Sequence, residues 1–513
     1  MKTSDDLFDL IRSLDQTEKR YFKLFASMNA RRSEGDNNYV RLFDFIDKQA
    51  SNQGNYDEDA VKEYFKGEKF IKQLHVLKSY LYGTILRSLR LYNSEKSKVN
   101  ELHGLLRDVD ILFHKSLYGQ CKKLLNKAKK IALTHEKYTQ LLEIIDMEKA
   151  IARAEAYTKR TEEDLDNIYY EVNDAVEKIR NINDFWRLST KSFFLRKKYG
   201  NIRDSEELNK FNELMKNPLL KSEDKATTYF SKNFYYNIKG LFYLTKGDYE
   251  NLLRYSNKLV EFLEANPGMM RSNNYLAALN NLLIVQMETK KYNDAMVSIK
   301  KIRAIEPESK TMRAQMFIIS YDNEMNLYLL TGEFQKGVKL AKEIEKGLKE
   351  FSGRIDQESE ILFYYNIAYI YFGAGDYEKS LEWINKILNK KEFRLREDIQ
   401  IYSRLLNLFV HYEIGNYDLL EYEIKSARRF FDSHNYLNEF EKIILSFLNK
   451  LIFANDEEAK IDLYNDLKYK LSKRSKEVRE NRIMEYFDID SWLDSKIEKK
   501  SFSSIIGNKA INK

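Results

Sequence analysis

Cysteine occurs once in 513 residues, at Cys121, so the chain forms no internal disulfide and no cysteine-built metal site. Proline occurs three times, at Pro218, Pro267 and Pro307, and glycine only 18 times. Both residues interrupt helices, and their scarcity favours long helical stretches. No segment reaches the roughly 18 consecutive apolar residues of a membrane span. The opening MKTSDDLFDLIRSLD has acids where a secretory signal needs a basic start and an apolar run. The six histidines, His75, His103, His114, His135, His411 and His434, are dispersed, with no paired-helix metal spacing. FSSIIGNKA lacks the leading glycine and the Lys-Ser/Thr ending of a phosphate loop. These absences predict a cytoplasmic protein with no cofactor, no metal and no assigned reaction.

What is abundant is a repeated joint. Gly375 lies in GAGDYEKSL, Gly247 in TKGDYENLL, Gly332 in LTGEFQKGV and Gly415 in EIGNYDLLE, while TKKYNDAMV puts Lys290 in the glycine slot. Along the chain these positions are spaced by 43, 42, 43 and 40 residues, a period that signals stacked supersecondary units. An aromatic-rich helix precedes each joint. An aromatic residue follows it, in turn Tyr249, Tyr292, Phe334, Tyr377 and Tyr417. A second amphipathic helix comes next, with Leu252, Ala295, Gly337, Ser380 or Leu420 in one recurring slot. Pro267 and Pro307 close two of these second helices.

The pattern resembles the tetratricopeptide repeat family. Tyr236, Gly240 and Tyr243 match that family's first-helix slots; Ala295, Ile299 and Pro307 match its second-helix slots; Ala368 and Tyr371 match later. The period exceeds the family's usual one of about 34, and no tryptophan stands in its tryptophan slot. The likeness covers at least residues 229–431. The layout also resembles largely uncharacterised bacterial proteins with this repeat. The resemblance implies an α-solenoid of helical hairpins that acts as a protein-binding scaffold.

The expected fold is therefore all-α. Residues 1–100 form an N-terminal helical bundle, 101–228 degenerate helical repeats, 229–440 the repeat array and 441–513 capping helices around Phe487, Trp492 and Ile497. Asp15 is expected to cap QTEKRYFKLFASM with Glu18 in capping-box position, and RRSEGDNN to form a loop.

Two features stand out as candidate sites. Asparagine, a mediocre helix former, recurs on the first helices at Asn237, Asn280, Asn281, Asn323, Asn326 and Asn366. Stacked units bring first helices together, and amides arrayed there would pair with the backbone of an extended peptide, with Tyr365 and Tyr369 adding apolar contact. The bland alternative is an asparagine-rich composition. The second feature is charge. Residues 65–135 hold 15 lysines and arginines against five acids, in a chain whose net charge is +7. A helix predicted over Lys69–Tyr92 puts Leu74, Leu77, Leu81, Ile85, Leu89 and Tyr92 on one face and Lys66, Lys69, Lys72, Arg87 and Arg90 opposite. That stripe suits phosphates or an acidic protein, and with the preceding DEDAVKEYFKGEK it would make a helix-turn-helix. The alternative is a solvated basic face. The leading reading is a non-enzymatic scaffold that binds a protein or peptide in a groove. The alternative function is a nucleic-acid-binding regulator whose array senses a partner.

Overall fold

The computed structural model describes residues 3–29, 38–51, 56–93, 97–199, 205–389, 396–434, 436–454, 456–474 and 487–511. The stretch RRSEGDNN lies outside them save for Asn38. Within the described residues the chain forms 24 α-helices and no strand. They are α1 Thr3–Ser13, α2 Gln16–Asn29, α3 Asn38–Ser51, α4 Glu58–Tyr64, α5 Leu74–Tyr92, α6 Lys98–His114, α7 Tyr118–Thr134, α8 Tyr138–Ala154, α9 Glu162–Tyr199 and α10 Ser205–Met215. There follow α11 Tyr229–Lys246, α12 Tyr249–Glu264, α13 Ser272–Glu288, α14 Tyr292–Arg303, α15 Lys310–Thr331, α16 Phe334–Glu350 and α17 Gln357–Gly373. The last are α18 Tyr377–Leu388, α19 Glu397–Ile414, α20 Tyr417–Ser433, α21 Glu439–Ile452, α22 Glu457–Arg474, α23 Ile489–Ile497 and α24 Phe502–Ile511. Two compact units emerge: residues 1–184 with 226–229, and residues 185–225 with 230–513.

In the first unit, α1, α2, α3 and α5 enclose Leu7, Ile11, Phe22, Phe43, Ile46, Leu81 and Ile85. Asp15 starts α2 through a capping box: the Glu18 N–H donates to the Asp15 carboxylate at 2.8 Å, and the Asp15 N–H donates to Glu18 at 3.0 Å. A second cluster gathers Leu102, Val109, Cys121, Leu125, Ala128 and Ile144 from α6, α7 and α8. The helix expected over Lys69–Tyr92 is instead a 3-10 turn, Lys69–Gln73, followed by α5. Gln73 leaves helical geometry with φ −125 and ψ 31. Phe70 sits 5.3 Å from Phe65, ring to ring. The apolar spacing is compatible with either arrangement, so it did not register the break.

In the second unit each helix from α12 to α22 packs on the next, giving a solenoid-like stack of hairpins. First helices also touch the following first helix, α13 with α15, α15 with α17 and α17 with α19, whereas second helices do so marginally at most. The first helices thus form the inner layer.

The joints share one backbone solution. Gly247, Gly332, Gly375 and Gly415 have φ between 71 and 81, in the left-handed region. The next residue's N–H reaches back five positions, as from Asp248 to the Tyr243 carbonyl at 3.0 Å and from Asp376 to Tyr371 at 2.9 Å. Lys290 takes the same conformation at φ 58, as do Ser116 and Glu136 in the first unit at φ 59 and 49. Leu117 and Lys137 close those two joints with the same bond, to Leu112 and Ala132. A non-glycine residue costs about 1–2 kcal/mol there, partly offset by glycine's greater freedom in the unfolded chain. Lys290→Gly should therefore stabilise the second unit by about 0.5–1 kcal/mol in urea unfolding. Lys290→Ala should give no gain; equal behaviour of the two variants would refute a strained joint.

The recurring second-helix slot is interior. Leu252, Ala295, Gly337, Ser380 and Leu420 are all buried. A Cβ on Gly337 would lie 2.3 Å from the Ile370 Cδ1, and the Ser380 hydroxyl donates to the Ala368 carbonyl at 2.8 Å.

Helices α23 and α24 close the stack. Trp492 is 1% exposed, its ring edge-on to Phe409 at 4.9 Å and Tyr412 at 5.9 Å, and its Nε1 donates to Glu413 at 2.6 Å. Phe487, which precedes α23, packs on Tyr369 and Phe372 at 5.5 and 5.2 Å. Phe502 stacks on Phe334 at 5.7 Å, and Ser503 donates to the Gly332 carbonyl at 2.7 Å.

Candidate functional site

The inner layer does not carry the asparagines as one uniform row. On α11, the Asn237 amide donates to its own helix, to the Asn233 carbonyl at 2.8 Å and the Asn233 side chain at 2.7 Å. On α13, Asn280 is half-buried, while Asn281 is exposed and its side chain has no hydrogen bond among the described residues. On α15, Asn323 donates to the Ile319 carbonyl at 2.8 Å. Asn326 and Asn366 instead converge on a side chain that sequence reasoning passed over, Asp322. The amides therefore belong to two separate places.

The first place is a notch of about 480 Å³ between α11, α12 and α13. Tyr236, Leu244, Tyr249, Leu252, Tyr255 and Ile284 supply apolar walls, and Asn237 and Asn281 supply amides. Gly240 keeps the floor low, since its missing side chain leaves the Leu252 methyl 3.8 Å from where a Cβ would sit. Phe193 on α9 borders the notch and is 59% exposed; Ile284 is 47% exposed. Apolar side chains left open beside a concavity with a few amides are what a binding site for a partner's apolar side chain requires.

The second place is a carboxylate cradle. Asp322 Oδ1 accepts from the Asn366 amide at 3.0 Å, across from α15 to α17, and Oδ2 accepts from Asn326 at 3.3 Å. Asn366 is buried, whereas Asp322 keeps partial access to solvent although protein crowds it. Burial pushes its carboxyl up to about 6, against opposing pulls from Asn366, Arg396 and Asn326. A raised folded-state value means that ionising Asp322 destabilises the fold. The stability it contributes is fully present below its unfolded value near 4 and is lost as pH rises through about 6. Asp322→Asn should therefore match the wild type at pH 4 and exceed it at pH 7.5, by at most about 3 kcal/mol. Denaturant melts at the two pH values check this; a variant less stable at pH 7.5 would reverse the sign.

Tyr365 and Tyr369 do not line a groove. They are 1% and 6% exposed. The Tyr369 hydroxyl accepts from the Asp488 N–H at 3.0 Å, so the chain's own C-terminal segment covers it. Burial drives its pKa far upward. The legible warning was α17 itself, apolar on every side from Ile361 to Phe372, which marks a helix buried all round.

The basic stripe is also rearranged. Lys66, Lys69 and Lys72 precede α5, while Arg87 and Arg90 stand near its far end, about 20 Å along the axis from Leu74. All five are exposed, but they do not share one helical face. Lys66 pairs with Glu63 at 3.1 Å. Lys78, counted in the same segment, is buried and paired with Glu58. Lys127 and Lys98 converge on Glu101 at 2.7 and 2.8 Å and hold its carboxyl down to about 2. Lys122 meets Glu155 at 2.5 Å, and Lys129 meets Glu148 and Glu171 at 3.1 and 2.6 Å. Six of the segment's fifteen lysines and arginines are thus paired with acids among the described residues.

Cys121 is buried, its thiol 3.7 Å from the Val109 carbonyl, and burial raises its pKa, which suppresses nucleophilicity. Among the described residues no three His, Cys, Asp or Glu side chains are grouped to hold a metal, and no helix is long and apolar enough to cross a membrane.

Fold and site together define an all-helical protein of sequential hairpins with a helical-repeat arrangement. No protein-family model matches the chain, and no curated protein matches it in sequence.

Proposed function

We propose that the second unit is an interaction scaffold that holds a segment of a partner protein against its inner helix layer. The observation that carries this reading is the notch between α11, α12 and α13, where exposed Ile284 and Phe193 adjoin the amide of Asn281, which is exposed and has no side-chain partner among the described residues. A folded chain gains nothing in stability from leaving such side chains open, whereas a partner's apolar side chain gains about 25 cal/mol per Å² buried there. The joint pattern's resemblance to tetratricopeptide repeats, which bind peptides on first helices, agrees with it. No reaction is assigned. The basic segment favours no second reading, because its cations are divided between places, its stripe does not share one helical face, and six of its fifteen cations pair with acids among the described residues.

The test is a paired substitution, Asn281→Ala with Ile284→Glu. Both side chains are exposed, so the melting temperature should hold within about 2 °C. Capture of partner proteins from nuclease-treated native cytosol should fall at least tenfold. Undiminished capture by the folded variant would remove the notch from the binding surface.

A further inference from the structure

The inner layer carries a negative charge that no cation in contact balances among the described residues. Asp322 makes hydrogen bonds to the amides of Asn366 and Asn326 at 3.0 and 3.3 Å, and those are its contacts among the described residues. The cation acting on it most is Arg396, at the start of α19. That guanidinium engages Asp398 with two parallel bonds, Nε to Oδ1 at 2.9 Å and Nη2 to Oδ2 at 2.8 Å, so its charge is already matched. The α15, α17 and α19 elements thus present to Asp322 two amides and one committed arginine. Elsewhere in the unit the corresponding problem is solved internally: Glu324, on the same helix, faces Arg303 at 2.6 Å, and Glu413 faces Lys496 at 2.6 Å.

A crowded carboxylate without a counter-ion is costly. Here two amides fix its orientation, and the residue is not fully buried. A carboxylate has about four acceptor positions, of which these amides use two. The remaining acceptors fit the donor end of a guanidinium or an ammonium.

We propose that the partner segment held on the inner layer brings a lysine or arginine side chain to Asp322, which acts as its charge-recognition residue. This rests on the scaffold reading above and names the chemistry of the occupant. On this account Asn326 and Asn366 are positioning residues that aim the carboxylate.

The probe is N-acetyl-arginine amide added to the full chain carrying ¹³C-labelled aspartate, with the Asp322 carboxyl resonance assigned by its loss in Asp322→Asn. The titration midpoint of that resonance should fall saturably, by about one unit, when the cation binds the ionised form about tenfold more tightly than the neutral form. N-acetyl-citrulline amide, of similar shape without the charge, and sodium chloride at equal ionic strength should leave it in place. Asn366→Ala should weaken the effect severalfold by releasing the carboxylate. No shift with the arginine amide, or a shift equal to that with sodium chloride, overturns the proposal. Those outcomes leave the scaffold reading intact, since that reading stands or falls with the Asn281 and Ile284 variant.

Discussion

Trp492→Ala is expected to cost about 3–5 kcal/mol of stability in guanidinium unfolding, the range for removing a large buried aromatic side chain. The indole is 1% exposed and meets Phe409, Tyr412 and Tyr464 at ring separations of 4.9, 5.9 and 5.8 Å, so its loss leaves a void walled by three rings. It also strands Glu413, although Lys496 still pairs with that carboxylate at 2.6 Å. Trp492→Phe keeps most of the packing and forfeits the Nε1 bond, for a loss nearer 1–2 kcal/mol. A cost below 1 kcal/mol for the alanine variant would mean that α23 is an appendage rather than the closing element of the stack.

Ala295→Arg should be at least as damaging. Ala295 has no exposed surface. In the equivalent slot Gly337 has no room even for a methyl group, and in another Ser380 turns its hydroxyl to a backbone carbonyl. An arginine there must bury a charge without a partner or push the hairpin apart, and either outcome exceeds about 3 kcal/mol. Ala295→Gly should cost only about 1 kcal/mol, through helix propensity. Thermal melts separate the two; an unchanged melting temperature for the arginine variant would mean that the repeat register is misassigned.

The sequence was most legible where local chemistry decides the outcome. Left-handed glycines and the aromatic residue two positions on located the hairpin joints of the second unit, and the slot from Leu252 to Leu420 proved interior throughout. The joint at Ser116 falls in the stretch read as degenerate repeats, with Tyr118 in the aromatic slot, whereas the joint at Glu136 escaped because its residue does not advertise a positive φ, although Tyr138 stands where the aromatic belongs. Tyr369 was misjudged for a different reason. Its cover comes from Phe487 and Asp488, more than a hundred residues away, and no period within α17 encodes that contact. Asp322 went unnoticed because an acid on a helix ordinarily signals a solvated face. Only the packing of α17 against α15 brings Asn366 to it.

The binding claim itself is most directly tested by a photo-crosslinking amino acid, p-benzoylphenylalanine, placed at position 284 in cells. A matched control places it at position 297, where Val297 is 53% exposed on the second helix α14, away from the notch lining. The account predicts discrete higher-mass protein adducts from position 284 that are absent from position 297. Equal adducts at both positions, or none at position 284 with the protein folded, would contradict it.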